Sequence, residues 1–243
     1  MASQANILIT ICARGGSKGI PGKNIKLLGG RTLIDYTIQT AKKFAERHAA
    51  VITLSTDYED ILQAAAASGL VTDYRRPEYL ATDEAGKIDV IRDIVLFEEK
   101  KAGKKFDYVL DLDVTSPLRT IEDLEKAFSL LLDNKEAITL FSVNAAARNP
   151  YFNMVEQKEN GFYGLVKKLE QTSLTRQSAP KVYDLNASFY WYKRVFFDSG
   201  LKTPITTNTL IYQMNHICFD LDHVIDFEFL DFLITNHKLD FEL

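Results

Sequence analysis

Arg14, Lys18 and Lys23 are threaded through a glycine-rich stretch, "ICARGGSKGIPGKNIKLLGG", which runs from Ile11 to Gly30 directly behind a short apolar run. Backbone N–H groups left open by glycine, with cations beside them, suit a highly charged anion such as a triphosphate, above all where a strand passes into a helix. Two well-known phosphate loops do not fit. The pattern G-x-x-x-x-G-K-[ST], ended at Gly22 and Lys23, puts Ser17 where its first glycine belongs and Asn24 where its metal-binding hydroxyl belongs. The pattern G-x-G-x-x-G is never formed by Gly15, Gly16, Gly19 and Gly22. A solvated turn, with glycines that serve only its geometry, is the alternative reading.

Two acidic pairs are the next candidates. Asp220 and Asp222 stand two apart in "HICFDLD". In an extended segment such residues point the same way, so both carboxylates would converge on one point. That fits Mg²⁺, which prefers oxygen ligands and keeps waters and substrate phosphates in its shell. Alternatively Asp222 caps the helix that starts near His223. Capping leaves Asp220 without a role, and an unpaired carboxylate in so apolar a run is costly. Asp111 and Asp113 in "VLDLDV" share one face near the end of an expected interior strand, where carboxylates are disfavoured.

The elements that must position these groups alternate. "NILITICA", "AVITLST", "DYVLDLDV" and "AITLFSV" read as strands. Between them, "TLIDYTIQTAKKFAER" carries Ile34, Ile38, Ala41 and Ala45 on one helical stripe, and Thr32 with Asp35 resembles a capping box. "DYEDILQAAAASG" is a helix closed by Gly69; "KIDVIRDIVLFEEKKAG" turns Ile88, Ile91 and Val95 inward; "TIEDLEKAFSLLLDN" does so with Leu124, Phe128 and Leu131. This rhythm predicts a mostly parallel sheet covered on both faces. It places the glycine-rich turn at the carboxyl edge of that sheet, where ligands bind.

The rhythm breaks after Val143. Short alternating runs around Asn160-Gly161 predict an antiparallel hairpin, an arm with an apolar face that needs cover beyond the main core, such as a second copy of the chain. The α/β pattern resumes with "NASFYWYKR", "TLIYQM" and "ICFDLD" as strands and ends in the helix "HVIDFEFLDFLITNH". The expected division is a catalytic α/β domain over residues 1–145 and 187–243, with an inserted arm over 146–186.

Bulk properties narrow the classes. The chain has 243 residues, a net charge of -4 and 46% hydrophobic residues, enough for a core without disulfides. A pI of about 5.6 argues against a general nucleic-acid binder, so any anion site must be local. "MASQANILITICA" has no basic n-region and its apolar stretch is too short to cross a bilayer, so it reads as a first strand and not a signal peptide, and no membrane partner is expected. Cys12 and Cys218 lack metal-ligand spacing and read as reduced thiols of a cytoplasmic protein. His48, His216, His223 and His237 share no metal spacing.

"ICARGGSKGIPGKNIKLLGGRTLIDYTI" resembles the N-terminal signature of the acylneuraminate cytidylyltransferases, the CMP-sialic acid synthetases. Further matches follow in order: "LSTD" (54–57), "RRPEYLATD" (75–83), "TSPLR" (115–119) and "FDLD" (219–222). "RNPYFNMVE" and "TRQSAPKVYDLNAS" are most similar to the branch that activates legionaminic acid.

The resemblance implies a three-layer Rossmann-like nucleotidyltransferase fold with a small antiparallel dimerisation insert, and a homodimer. It implies joining of CTP to a nine-carbon 2-keto sugar acid, with Mg²⁺ and release of pyrophosphate. Arg14 and Lys18 would grip the phosphates with Lys23 and Asn24 close by; Arg76, Ala85 and the "ATDEAGK" segment would enclose the cytidine. Arg176 aligns with a sugar-contacting arginine, which would meet the acid's carboxylate, and Gln177, Asn186 and Tyr190 fall in the same matched region. At the position of Asp113 the sialic-acid branch commonly has glutamine. Asp113 would accept hydrogen bonds from sugar hydroxyls, help deprotonate the attacking one or join the metal site, and a structural role is the alternative. Sialic, pseudaminic and 3-deoxy-octulosonic acids are the other substrates in view. A catalytically silent nucleotide-sugar binder is the non-enzyme reading.

Overall fold

Strand β1 (Ile7–Cys12) lies inside the sheet and is buried on both faces: Ile7, Ile9 and Ile11 enter one apolar cluster while Leu8 enters another. Such a two-sided apolar run is what a central parallel strand requires. The computed structural model describes residues 5–16, 19–169 and 175–243.

Around β1 the chain builds α1 (Leu33–His48), β4 (Val51–Ser55), α2 (Glu59–Ala67), α3 (Lys87–Ala102), β5 (Tyr108–Leu112), α4 (Ile121–Asp133) and β6 (Thr139–Ala145). A tiny ladder of β2 (Leu27–Leu28) and β3 (Arg31–Thr32) precedes α1. Beyond β6 come β7 (Val155–Gln157), β8 (Tyr163–Leu165), β9 (Tyr183–Lys193), α5 (Arg194–Asp198), β10 (Thr209–Gln213) and α6 (Val224–Thr235). The main sheet has the order β10-β6-β9-β5-β1-β4. β1 pairs in parallel with β4 on one side and β5 on the other. The order thus reverses at β1, the point where a crevice opens outside the carboxyl ends of the strands.

β9 runs antiparallel to both β5 and β6, so the sheet is mixed with a parallel majority. The larger apolar cluster holds α1, α2, α4 and α6 residues; the other packs Ile88, Ile91 and Val95 of α3 and Phe196 of α5 beneath the opposite face. Phe44, wholly buried, meets the Trp191 ring edge-on at 5.6 Å. Removing its ring would cost about 3–5 kcal/mol.

Two local expectations are corrected. Thr32 sits at the N-cap of α1 but its hydroxyl makes no cap bond, and the Asp35 carboxylate, taken by Arg31 at 2.7 Å and by Gln39 at 2.9 Å, does not supply the reciprocal half of the box. Capping boxes form instead on α4, where Thr120 and Asp123 bond reciprocally, and on α6, between His223 and Asp226. "ICFDLD" forms no strand: it is an extended loop, tied to the core by Leu221 N–H donating to the Thr115 carbonyl at 2.9 Å.

The arm forms as a hairpin of β7 and β8, with Gly161 at φ 82° in its turn. Its end is set by the main sheet, which takes the chain back at Tyr183, opposite Ala145.

Candidate active site

The glycine-rich segment is built as a braced loop. Ala13 N–H extends the ladder to the Ser55 carbonyl at 3.0 Å, and Gly15 N–H donates to Asp57 Oδ1 at 3.0 Å. A β-carbon on Gly15 would lie 2.7 Å from the Tyr58 ring, so glycine is needed for this close approach. Asn24 is buried and its Nδ2 donates to the Arg14 carbonyl at 2.9 Å. Lys23 Nζ donates to the Leu221 carbonyl at 2.5 Å. Asn24 and Lys23 therefore shape the loop and moor it to the acidic segment. Arg14 extends over the crevice and pairs with Asp83 at 2.7 Å. Lys18, the other expected phosphate ligand, lies outside the described residues.

Beside this loop opens a cleft of about 230 Å³, at the carboxyl ends of β1, β4 and β5. Cys12, Arg14, Arg76, Ala85, Lys87 and Asp113 line it. Arg76 is held from behind: its Nε donates to Ser55 Oγ at 2.9 Å and its Nη2 to the Ser55 carbonyl at 2.8 Å. Burial pushes the Cys12 thiol far up, so it stays neutral and serves as wall.

Asp111 and Asp113 meet on one cation. Lys87, the first residue of α3, places Nζ 2.9 Å from Asp111 Oδ2 and 2.6 Å from Asp113 Oδ2, and 5.0 Å from the centre of the Tyr190 ring. Burial would lower the Lys87 pKa, but the two carboxylates outweigh it and hold the ammonium well above its ordinary range. Burial likewise opposes ionisation of Asp113, and Lys87 with Thr115 reverses the effect, holding this carboxyl below the usual range.

Asp113 stands just past β5. Its N–H donates to the Ser188 carbonyl at 3.1 Å, and its own carbonyl accepts from the Arg119 guanidinium and from Thr37 Oγ1. Arg119, 1% exposed, also reaches the Ser188 carbonyl at 2.6 Å. Ser188 lies within an irregularity in the β6–β9 pairing, between Leu185 and Tyr190, where Ala187 adopts φ 59°. Such irregularities re-aim side chains beside functional sites.

Asp220 is half-buried next to this group. Burial raises its carboxyl pKa, and the charges of Asp113 and Asp222 raise it further, against the Thr115 hydroxyl and the Lys23 ammonium. Asp222 does not cap α6: His223 occupies the N-cap, and the Asp226 carboxylate accepts from the N–H groups of both Asp222 and His223. The Asp220–Asp222 segment carries a surplus of negative oxygen and lacks a nitrogen or sulfur donor, a set suited to a hard divalent cation. Among the described residues no three acidic, histidine or cysteine side chains converge into a closed metal cage.

The remaining expected residues divide. Tyr190 lies in the site, beneath Lys87. Asn186 is buried below it, its amide consumed by Ser142 and Ser188 at Oδ1 and by Asn144 at Nδ2. It holds β9 rather than facing the cleft. Arg176 and Gln177 border a different cleft, about 430 Å³, on the arm with Asn149 and Tyr183; Arg176 Nη2 donates to the Ala146 and Ala147 carbonyls. Within one chain they do not line the first cleft.

Sequence reasoning singled out neither Lys87 nor Arg119. For Lys87 a signal existed: two carboxylates on an interior strand require a cation, and "ATDEAGK" ends in one. For Arg119 the sequence held no sign that its guanidinium would be spent on main-chain carbonyls.

The likeness to known proteins agrees with this architecture. The chain is 39% identical over 239 residues to a CMP-N,N'-diacetyllegionaminic acid synthase of Campylobacter jejuni, covering 97% of each protein. It is 39% identical over 237 residues, again 97% of each, to a post-translational flagellin modification protein B of Campylobacter coli. A solved CMP:2-keto-3-deoxy-manno-octonic acid synthetase complexed with CTP superposes with a TM-score of 0.65, covering 96% of this chain and all of that one; at 16% identity this speaks for the fold alone. The family model described as Cytidylyltransferase matches residues 8–232. With that match across nearly its whole length, the chain belongs to the cytidylyltransferase family.

Proposed function

We propose that this cytidylyltransferase condenses CTP with a nine-carbon 2-keto sugar acid, giving the CMP-sugar and pyrophosphate, and that the acid is legionaminic acid or its N,N'-diacetyl form. The observation that carries the reading is one meeting point: the glycine-rich turn after β1 and the acidic Asp220–Asp222 segment, some two hundred residues apart in sequence, are moored together beside a cleft lined by Arg14 and Arg76. Near-identical coverage at 39% identity supports legionaminic acid as the substrate class.

The sugar's anomeric hydroxyl attacks the α-phosphorus in line, the bond to the β-phosphate breaks, and pyrophosphate leaves. Such transfer needs positioning and neutralised charge more than covalent help. Arg14 and Lys18 hold the triphosphate, Arg76 and Ala85 flank the nucleoside, and Asp113 with Tyr190 faces the acid. Asp220 and Asp222 would hold Mg²⁺, which when bound offsets phosphate charge.

A homodimer completes the reading. The arm strands have three residues each, and Phe162 and Tyr163 are 75% and 70% exposed. A hairpin so small needs cover, and a second copy supplies it. Arg176 and Gln177, on the same arm, would then serve the partner's sugar site. A cytoplasmic location belongs to the same proposal; no helix among the described residues is long and apolar enough to cross a membrane.

Pyrophosphate release with CTP and a panel of nonulosonic acids tests the proposal. Preferred turnover of legionaminic derivatives is expected. Binding of CTP without turnover of any acid would leave a silent binder instead.

A further inference from the structure

Asp111 is a carboxylate with no view of the cleft: it is 0% exposed, accepts a hydrogen bond from Thr10 Oγ1 at 2.8 Å on one oxygen and forms an ion pair with Lys87 Nζ at 2.9 Å through the other, which receives no hydrogen bond. A buried carboxylate destabilises a fold unless it is paired. Its placement on an interior strand is therefore accounted for by what stands on it. Lys87 rises from Asp111 to Asp113, and the face of Tyr190 closes one side of the ammonium.

Lys87 is not built as an anion site. Two carboxylates contact one ammonium, so this trio carries a net negative charge, and a phosphate or carboxylate gains little there. Its effect falls on Asp113. Every polar atom of that residue is held: Oδ2 by Lys87, Oδ1 by Thr115 N–H and Oγ1, both at 3.0 Å, N–H by Ser188, and the carbonyl by Thr37 and Arg119. Oδ1 is thereby filled, Oδ2 keeps one lone pair to spare, and the side chain lines the cleft.

We propose that Lys87 is a positioning residue: seated on Asp111, it fixes Asp113 as an acceptor-only group, so that the sugar acid must present a hydrogen-bond donor there, a hydroxyl or an acylamino N–H. This rests on the reading that Asp113 faces the acid substrate. Buried groups built to accept a substrate's N–H or O–H reject analogues that lack it far more strongly than apolar pockets reject a missing methylene.

A double-mutant cycle of Lys87→Met and Asp113→Asn tests it, read in kinetics and in thermal unfolding. For Lys87→Met, kcat/KM for the sugar acid is expected to fall about a hundredfold with KM for CTP little changed. The double variant should fall no further than Asp113→Asn alone. Additive losses, or a loss carried by KM for CTP, would overturn the proposal by showing that Lys87 touches the nucleotide. Where Lys87→Met leaves Asp111 too costly to fold, Lys87→Met with Asp111→Asn removes the buried charge and answers the same question. The unfolding cycle needs no substrate: Tm losses of the two single variants that add in the double overturn the clamp, whatever acid the enzyme uses. A wild-type enzyme inactive with every nonulosonic acid refutes the substrate assignment and leaves the unfolding cycle to decide the clamp.

Discussion

Gly19 lies against the main chain of Asp222 so closely that a β-carbon on it would sit 2.3 Å from the Asp222 carbonyl oxygen. The glycine-rich loop and the acidic segment are thus in backbone contact, and no flexible side-chain tip can yield to relieve a larger residue. Gly19→Ala must displace one of the two. Turnover is expected to fall about a hundredfold, with the Tm lowered only slightly, because the loop borders solvent. Wild-type kinetics in that variant would show that the contact does not set the site.

Asp220 is held against the charges of Asp113 and Asp222 as well as against burial. Asp220→Asn keeps the shape and removes the repulsion. The expected outcome is loss of at least about a hundredfold in kcat at saturating CTP and magnesium, with a Tm equal to or above the parent's. Near-normal kcat would remove Asp220 from the proposed metal site.

Arg76 is oriented by two bonds to Ser55 that use the fork of a guanidinium. Lysine lacks that fork. Arg76→Lys should raise KM for CTP about tenfold, the worth of roughly one charged hydrogen bond, and leave KM for the sugar acid steady. Steady-state titration of each substrate separates the two.

Away from the site, His216 Nε2 meets Asp123 Oδ2 at 2.8 Å, beside the Tyr212 hydroxyl. Burial would lower the His216 pKa, but Asp123 outweighs it and raises it above its ordinary 6.5. Asp123 is lowered from 3.8, its hydrogen bonds overcoming burial. The histidine's contribution is full below 6.5 and is lost as pH rises through its folded-state value. The aspartate's is full above 3.8 and is lost as pH falls through its own. His216→Gln should therefore cost about 2 kcal/mol near pH 5.5 and clearly less near pH 8.5. Chemical denaturation at the two pH values checks this; an equal cost at both would refute a charged pair.

The arm supplies a test of assembly. Phe162→Glu with Tyr163→Glu should yield monomers in sedimentation, and the monomers should lose sugar-acid turnover more than CTP binding. A dimer that survives both changes would place the interface elsewhere.

Periodicity alone located the central strands and long helices, because burial on a sheet or helix face writes a repeat of 2 or 3.6 into nearby residues. The glycine-rich turn and both acidic pairs were equally legible, since unusual residue types concentrate there. What surrounds them was not. The carboxylate of Asp35 was drawn to Arg31 instead of back to Thr32, and "ICFDLD", apolar enough for a strand, found no strand edge to join. Asn24 and Asn186 turned out to brace main chain and neighbouring side chains, and Lys87 to close on Asp111 and Asp113 from a helix start 24 and 26 residues away. Such pairings depend on which strand lies beside which and on how far each loop reaches across the sheet's carboxyl edge. That is a property of the packed fold, and no local pattern of residues records it.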